Sequence, residues 1–150
     1  MSAEKKTDFH VVNHSVPRRD GRAKVTGKAM YVSDVNLTGM AYAKVLRSPY
    51  AHAKIISIDT LRAAAQPGVI CVLTGDNLQG LNPYYGHAVK DHPLLAIGKV
   101  RYAGEPVVAV VAVDERTAFC ALEHIEVKYE ELKPVLTPED AMAKDAPLLH

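Results

Sequence analysis

Seven consecutive small apolar residues, Val107 to Val113, constrain this chain more than any other feature. A strand with one face in water alternates apolar and polar side chains, so an unbroken Val-Val-Ala-Val-Val-Ala-Val run must be buried on both faces. It is the core strand, and the neighbouring sequence is read outward from it. A strand about Val100 to Ala103 and a Gly104-Glu-Pro turn precede it. Asp114 follows as a helix cap, and Ala118, Phe119, Ala121, Leu122 and Ile125 recur at the spacing of a helix running through His124. Ile125 to Tyr129 then returns as a strand.

Upstream, Lys28 to Ser33 and Met40 to Arg47 read as strands joined through Asp34, Asn36 and Gly39, residues with turn chemistry. Ala53 to Ile58 is a third strand. The segment from Asp59 to Gly68 supplies a cap, good helix formers and a Pro-Gly stop, and Val69 to Leu73 is another apolar strand. From Asp76 to Gly98 the pattern breaks repeatedly, and a loop of that length inside a compact domain is usually functional or mobile. Pro134, Pro138 and a helical turn from Glu139 to Ala143 close the chain. The expected organisation is an extended arm over residues 1–16 and one domain over 17–150. Its class is α+β, a mixed sheet with two packed helices whose strand pairing the sequence leaves open.

Of 150 residues, 18 are basic and 17 acidic, and this near balance lacks the electrostatic footprint of a nucleic-acid binder. No apolar stretch approaches a membrane span or a signal peptide, which makes a cytoplasmic protein without a membrane partner the expectation. Cys71 and Cys120 lie in apolar surroundings without a second thiol nearby and are expected to pack in the core.

The constellations that would make the chain an enzyme by itself are missing from the sequence. There is no phosphate loop, dinucleotide fingerprint, zinc-binding helix or nucleophile elbow. Of seven histidines only His87 and His92 fall close together, a spacing that holds a metal only if a carboxylate joins them. His52 reads as a hydrogen-bonded structural residue. Glu105 could serve as a base tuned by Arg101, but a charged turn residue before a proline is the expected role. Glu123, Glu126, Glu130 and Glu131 read as solvated faces. Arg18, Arg19 and Arg22 form the compact basic group and either meet an acidic surface on a partner or solvate the arm. Tyr84 and Tyr85, adjacent aromatics bounded by Gly80 and Gly86, together with His87 form an apolar gate with polar tips or else fold back over the core edge.

Five segments in order then carry a resemblance: Asp20-Gly-Arg-Ala-Lys-Val-Thr-Gly-Lys-Ala-Met-Tyr-Val-Ser-Asp, Ala43-Lys-Val-Leu-Arg-Ser-Pro-Tyr-Ala-His-Ala-Lys-Ile, Pro67-Gly-Val, Val100-Arg-Tyr-Ala-Gly-Glu-Pro-Val and Val127-Lys-Tyr-Glu-Glu-Leu. Together they resemble the N-terminal domain of the molybdenum-binding subunit of the xanthine dehydrogenase and aldehyde oxidase family. The resemblance runs from about Pro17 to Ala143 and implies the α/β hammerhead fold. It further implies membership of an enzyme that hydroxylates aldehydes or nitrogen heterocycles with water-derived oxygen. Molybdenum held by molybdopterin, usually its cytosine dinucleotide in bacteria, does that chemistry, and electrons leave through iron–sulfur clusters and often FAD. The family's catalytic glutamate and pterin-binding loops lie beyond this domain, so no catalytic, cofactor or metal-binding residue is expected here.

By the same resemblance, Tyr84, Tyr85 and His87 approach the substrate entrance, while Arg18, Arg19 and Arg22 face the iron–sulfur partner. The implied partners are the rest of the molybdenum subunit, an iron–sulfur subunit and, in some members, a FAD subunit. The sequence ends at His150, where relatives continue, and is expected to be a fragment or separately made domain, or to have its remainder on another chain. A stand-alone binding module is the alternative, and apolar surface left bare would count against it.

Overall fold

The computed structural model describes residues 9–12 and 14–149, and the chain divides into two compact units, Met1–Thr38 and Gly39–His150. In the first unit, helix α1 (Gly21–Val25) is one turn with no buried residue. The Asp20 carboxylate before it accepts from Arg18 Nε at 3.1 Å and pairs with Lys24 Nζ at 2.6 Å. Lys24 first, then Arg18, holds that carboxyl below its ordinary value. The chain turns at Gly27, whose φ of 67° favours glycine, and Lys28 N and Ala29 N both donate to Ala23 O.

The expected strand over Lys28–Ser33 does not form. Instead Asp34 Oδ2 accepts from Tyr31 N at 2.9 Å and winds Val32–Asp34 into a short 3₁₀ turn. An extended segment gains its hydrogen bonds only from a neighbouring strand, and here a local carboxylate supplies one first.

The second unit holds β1 (Tyr42–Arg47), β2 (Ala53–Asp59), α2 (Leu61–Ala64), β3 (Val69–Thr74), β4 (Tyr84–Tyr85), β5 (His92–Pro93), β6 (Lys99–Val100), β7 (Pro106–Ala112), α3 (Glu115–Leu122), β8 (Glu126–Glu131) and α4 (Pro138–Met142). The strands make three antiparallel sheets ordered β1-β7-β3, β6-β2-β8 and β4-β5. Strand β7 is central, with Lys44 opposite Val110 on one side and Leu73 opposite Ala109 on the other. Val108, Val110 and Ala112 on one face are fully buried, whereas on the other face Val107 is buried and Ala109 and Val111 are only partly so, which corrects the expectation that the run is buried on both faces. Val113 lies past the strand end and is exposed.

The core joins Val107, Val108 and Val110 to Ala53, Val100, Ala121 and Ile125, with Leu46, Ile58 and Val72 packed against it. Helix α3 starts as the sequence indicates: Asp114 Oδ1 accepts from Thr117 N at 2.8 Å and Oδ2 from the Thr117 hydroxyl at 2.7 Å. These bonds hold the Asp114 carboxyl below its ordinary value. The cap therefore stabilises above the unfolded pKa and is lost as pH falls through the depressed folded one.

Several expectations are corrected. Ala118 and Ala121 face the core, while Phe119 is rotated about 100° away from Ala118 and is exposed. Cys120 shares the outward side, and Cys71 is exposed on edge strand β3 next to the irregularity between Val69 and Cys71, so neither thiol packs in the core. The helix over Asp59–Gly68 shortens to the single turn of α2, with Asp59 Oδ1 accepting from Leu61 N. The strand over Val100–Ala103 shortens to Lys99–Val100, because the backbone turns at Arg101 to enclose a carboxylate. At the outer edge of β3, Asn77 Oδ1 accepts from Thr74 N at 2.7 Å and Asn77 Nδ2 donates to Val72 O at 3.2 Å. Among the described residues no helix is long and apolar enough to cross a membrane.

That enclosed carboxylate is Glu105, the charged turn residue before Pro106, which is 1% exposed. It accepts from Arg101 N at 2.5 Å and Arg101 Nη1 at 3.0 Å. Buried charge is tolerated only when paired and hydrogen-bonded, and both donors come from one residue. Glu105→Ala strands the Arg101 guanidinium and should cost about 3 kcal/mol in urea unfolding. Glu105→Gln, which still accepts from Arg101 N, should cost less.

Candidate functional site

The segment Asp76–Gly98, expected as a loop, folds into local pieces. A 3₁₀ turn covers Asp76–Leu81, Asn82 takes a φ of 52°, and β4 and β5 pair with Tyr84 opposite Pro93 and Tyr85 opposite His92. Leu94 N donates to Pro83 O at 2.8 Å beneath the hairpin, and Pro83 and Pro93 are buried. Gly86 opens the connecting turn because a Cβ there would lie 1.7 Å from Val89 O.

Successive strand residues point to opposite faces, so Tyr84 and Tyr85 part company. The Tyr85 ring meets His92 edge-on, with centroids 4.8 Å apart and planes at 87°. On its other side His92 stacks with Tyr102, centroids 5.9 Å apart and planes at 14°. The Tyr102 hydroxyl and His92 Nε2 lie 3.3 Å apart, with the imidazole tautomer deciding which donates. The group assembled is thus Tyr85, His92 and Tyr102. His87 sits exposed in the turn, and among the described residues no ring contact joins it or Tyr84 to that group.

Tyr102 was not singled out by the sequence, although the Gly104-Glu-Pro turn that carries it was. That turn is held on several sides: Glu105 N donates to Tyr102 O, Gly104 N to Ser48 O, Ser48 N to Glu105 O, and Arg47 Nη1 to Gly104 O at 2.9 Å. Gly104 takes a φ of 90°. Burial, then the charge of Glu105 and of Tyr85, raises the Tyr102 pKa, opposed by Arg47 and Arg101. The phenol stays protonated at neutral pH and keeps its capacity to donate to His92.

Other sequence candidates resolve separately. His52 is buried, and its Nδ1 faces the carbonyl of Lys133 at 2.8 Å, which can only accept, so Nδ1 carries the proton. Its Nε2 is buried without a hydrogen-bond partner. Among the described residues no three His, Cys, Asp or Glu side chains gather as a metal site, at His87 and His92 or elsewhere. Arg18, Arg19 and Arg22 are exposed in the first unit, with Arg18 engaged by Asp20. A cleft of about 270 Å³ lies between Ile55–Ile58 of β2 and Thr74–Asn77, and a shallower one of about 390 Å³ is lined by Lys44, Glu115, Arg116 and Phe119.

Residues 26–133 match the family described as aldehyde oxidase and xanthine dehydrogenase, a/b hammerhead domain. The chain is 44% identical over 133 residues to a probable xanthine dehydrogenase subunit of Bacillus subtilis, a match covering 89% of this chain and 18% of that protein. It is 45% identical over 126 residues to the carbon monoxide dehydrogenase large chain of Afipia carboxidovorans, covering 83% and 16%. Among solved structures it resembles a Cu,Mo-CO dehydrogenase with a TM-score of 0.84 at 43% identity, covering 89% of this chain and 17% of that one. The aldehyde oxidoreductase of Desulfovibrio gigas superposes with a TM-score of 0.78 at 32% identity, covering 89% and 16%. The chain therefore spans less than a fifth of the length of these relatives.

The raised Tyr102 pKa has a measurable consequence. A phenol whose folded pKa exceeds its unfolded one contributes stability below that unfolded value, near 10, and loses it as pH rises through the folded value. Alkaline titration of phenolate absorbance should show late-titrating tyrosines, of which Tyr102→Phe removes one. Loss of an early-titrating phenol instead would contradict the placement of Tyr102.

Proposed function

Because this chain belongs to the aldehyde oxidase and xanthine dehydrogenase family, as its α/β hammerhead domain, we propose that it is a non-catalytic part of a molybdenum hydroxylase. In that role it supplies an assembly surface and part of the substrate entrance to an enzyme that oxidises an aldehyde or N-heterocycle with water-derived oxygen. The observation that carries the reading is the family match across residues 26–133, with chain geometry that follows the Cu,Mo-CO dehydrogenase at a TM-score of 0.84.

The proposed enzyme is cytoplasmic and carries molybdopterin as its cytosine dinucleotide, with iron–sulfur clusters and, in some members, FAD on partner subunits. The residues of this chain do not fit the dinucleotide. The cleft beside β2 is lined by Asp76 and no cationic side chain, which disfavours a pyrophosphate, and the shallower groove is an open surface where Lys44 is paired with Glu115 and Arg116 is the remaining cation. No step of the reaction is assigned to these side chains.

The partners proposed are the remainder of the molybdenum subunit, the iron–sulfur subunit and, as in some members, a FAD subunit. Arg19 and Arg22, together with Arg18, are proposed to face the iron–sulfur subunit; Arg18 brings less free charge because Asp20 engages it. Tyr84, Tyr85 and His87 are proposed to line the entrance. Bare apolar side chains such as Ile70, Leu81 and Phe119, all more than half exposed, support assembly over the stand-alone binding module, whose exterior should be polar.

Affinity purification of the tagged chain from its native host should recover molybdenum, iron and larger subunits in near-equal amounts. A metal-free single species would overturn the proposal. In the assembled enzyme, Tyr84→Ala and Tyr85→Ala should change KM or substrate preference more than kcat, and wild-type kinetics would remove these tyrosines from the entrance.

A further inference from the structure

We propose that Tyr102 is a positioning residue that acts through His92 to set the orientation of Tyr85 on the β4–β5 hairpin. The functional part of this inference rests on the reading of that hairpin as entrance lining.

Four residues in two paired positions make up the β4–β5 ribbon, and Pro93, lacking an N–H, removes one donor from the pairing. A ribbon this short has no independent stability. Its base is anchored by buried Pro83 and Pro93 and by the Leu94 to Pro83 hydrogen bond. The connection from His87 to Asp91 is exposed, so what fixes the hairpin's rings must lie to the side.

The lateral support is Tyr102. Its ring lies nearly parallel to His92, and its hydroxyl reaches Nε2 of the same imidazole, so both the plane and the in-plane rotation of His92 are defined by one residue. Edge-to-face contact then passes that orientation to Tyr85. Tyr102 is suited to the task because its turn is tied to Ser48 and Arg47 at one end of β1 and sits over the buried Arg101–Glu105 pair. A rigid turn thus holds an intrinsically weak hairpin by a ring and a hydroxyl.

Two variants test this by amide exchange in the chain and by steady-state kinetics in the assembled enzyme. Tyr102→Leu should raise exchange across residues 84–94 about ten-fold while β7 stays at wild type, and should shift KM several-fold with kcat little changed. Tyr102→Phe, which keeps the stack and loses the hydroxyl, should restore most of both. Unchanged hairpin exchange in Tyr102→Leu, or an equal rise in β7, overturns the assignment. Should Tyr102→Leu fail to fold, Tyr102→Phe decides: about a two-fold rise confined to the hairpin supports the assignment, and no rise overturns it. A freed hairpin with wild-type KM keeps Tyr102 as the hairpin's support and removes the entrance reading. A KM change in Tyr84→Ala with unmoved hairpin exchange in Tyr102→Leu does the reverse.

Discussion

The Arg101–Glu105 pair is the junction on which the second unit depends. Glu105 takes two donors from Arg101 through its side chain, while its backbone joins the start of β7 to Ser48 at the end of β1. Arg101 reaches on to the carbonyl of Leu149, and neighbouring Lys99 to that of Leu148, so the last described residues lie against the same turn. The Arg101–Glu105 pair, through side chains and backbone together, therefore meets two sheets, the closing segment and the turn that carries Tyr102. An apolar residue of similar size could fill the space but could not hold Arg101 by directed bonds.

The layout follows from how little apolar volume each element offers. Small residues dominate the core, with Val107, Val108 and Val110 against Ala53, Ala63 and Ala121. Short elements on such a core approach closely, and the connections must be exact. Gly75, where a Cβ would sit 2.5 Å from Ala96 O, and Gly86 are places where backbone passes backbone without room for a side chain. The candidate site grows from such connections and not from the regular strands.

The sequence was most legible where burial alone decides structure. Val107–Val113 declares a core strand whatever its neighbours are, and Asp114 declares the start of α3 through a bond to a residue three positions away. It was least legible where one particular side-chain contact, and neither burial nor period, decides. Lys28–Ser33 has the composition of a strand, yet Asp34 bends it locally. Glu105 looks like a turn charge until the Arg101 backbone is seen to fold around it. Phe119 fits a helical period, but the period does not say which side of α3 meets the core. Tyr84 and Tyr85 stood out in an irregular segment, whereas Tyr102 became visible only when the hairpin brought His92 beside it, across ten residues with no periodicity to announce the contact.

Asn77 has a consequence for how this molecule behaves in a crowd. Its side-chain amide offers one acceptor and one donor to Thr74 and Val72, the same pair of bonds an incoming strand would make. Strand β3, which carries exposed Ile70 and Cys71, is thereby sealed at its C-terminal half by an imitation neighbour. A sheet whose rim is already occupied in this way does not template a fourth strand from another copy along that half of β3.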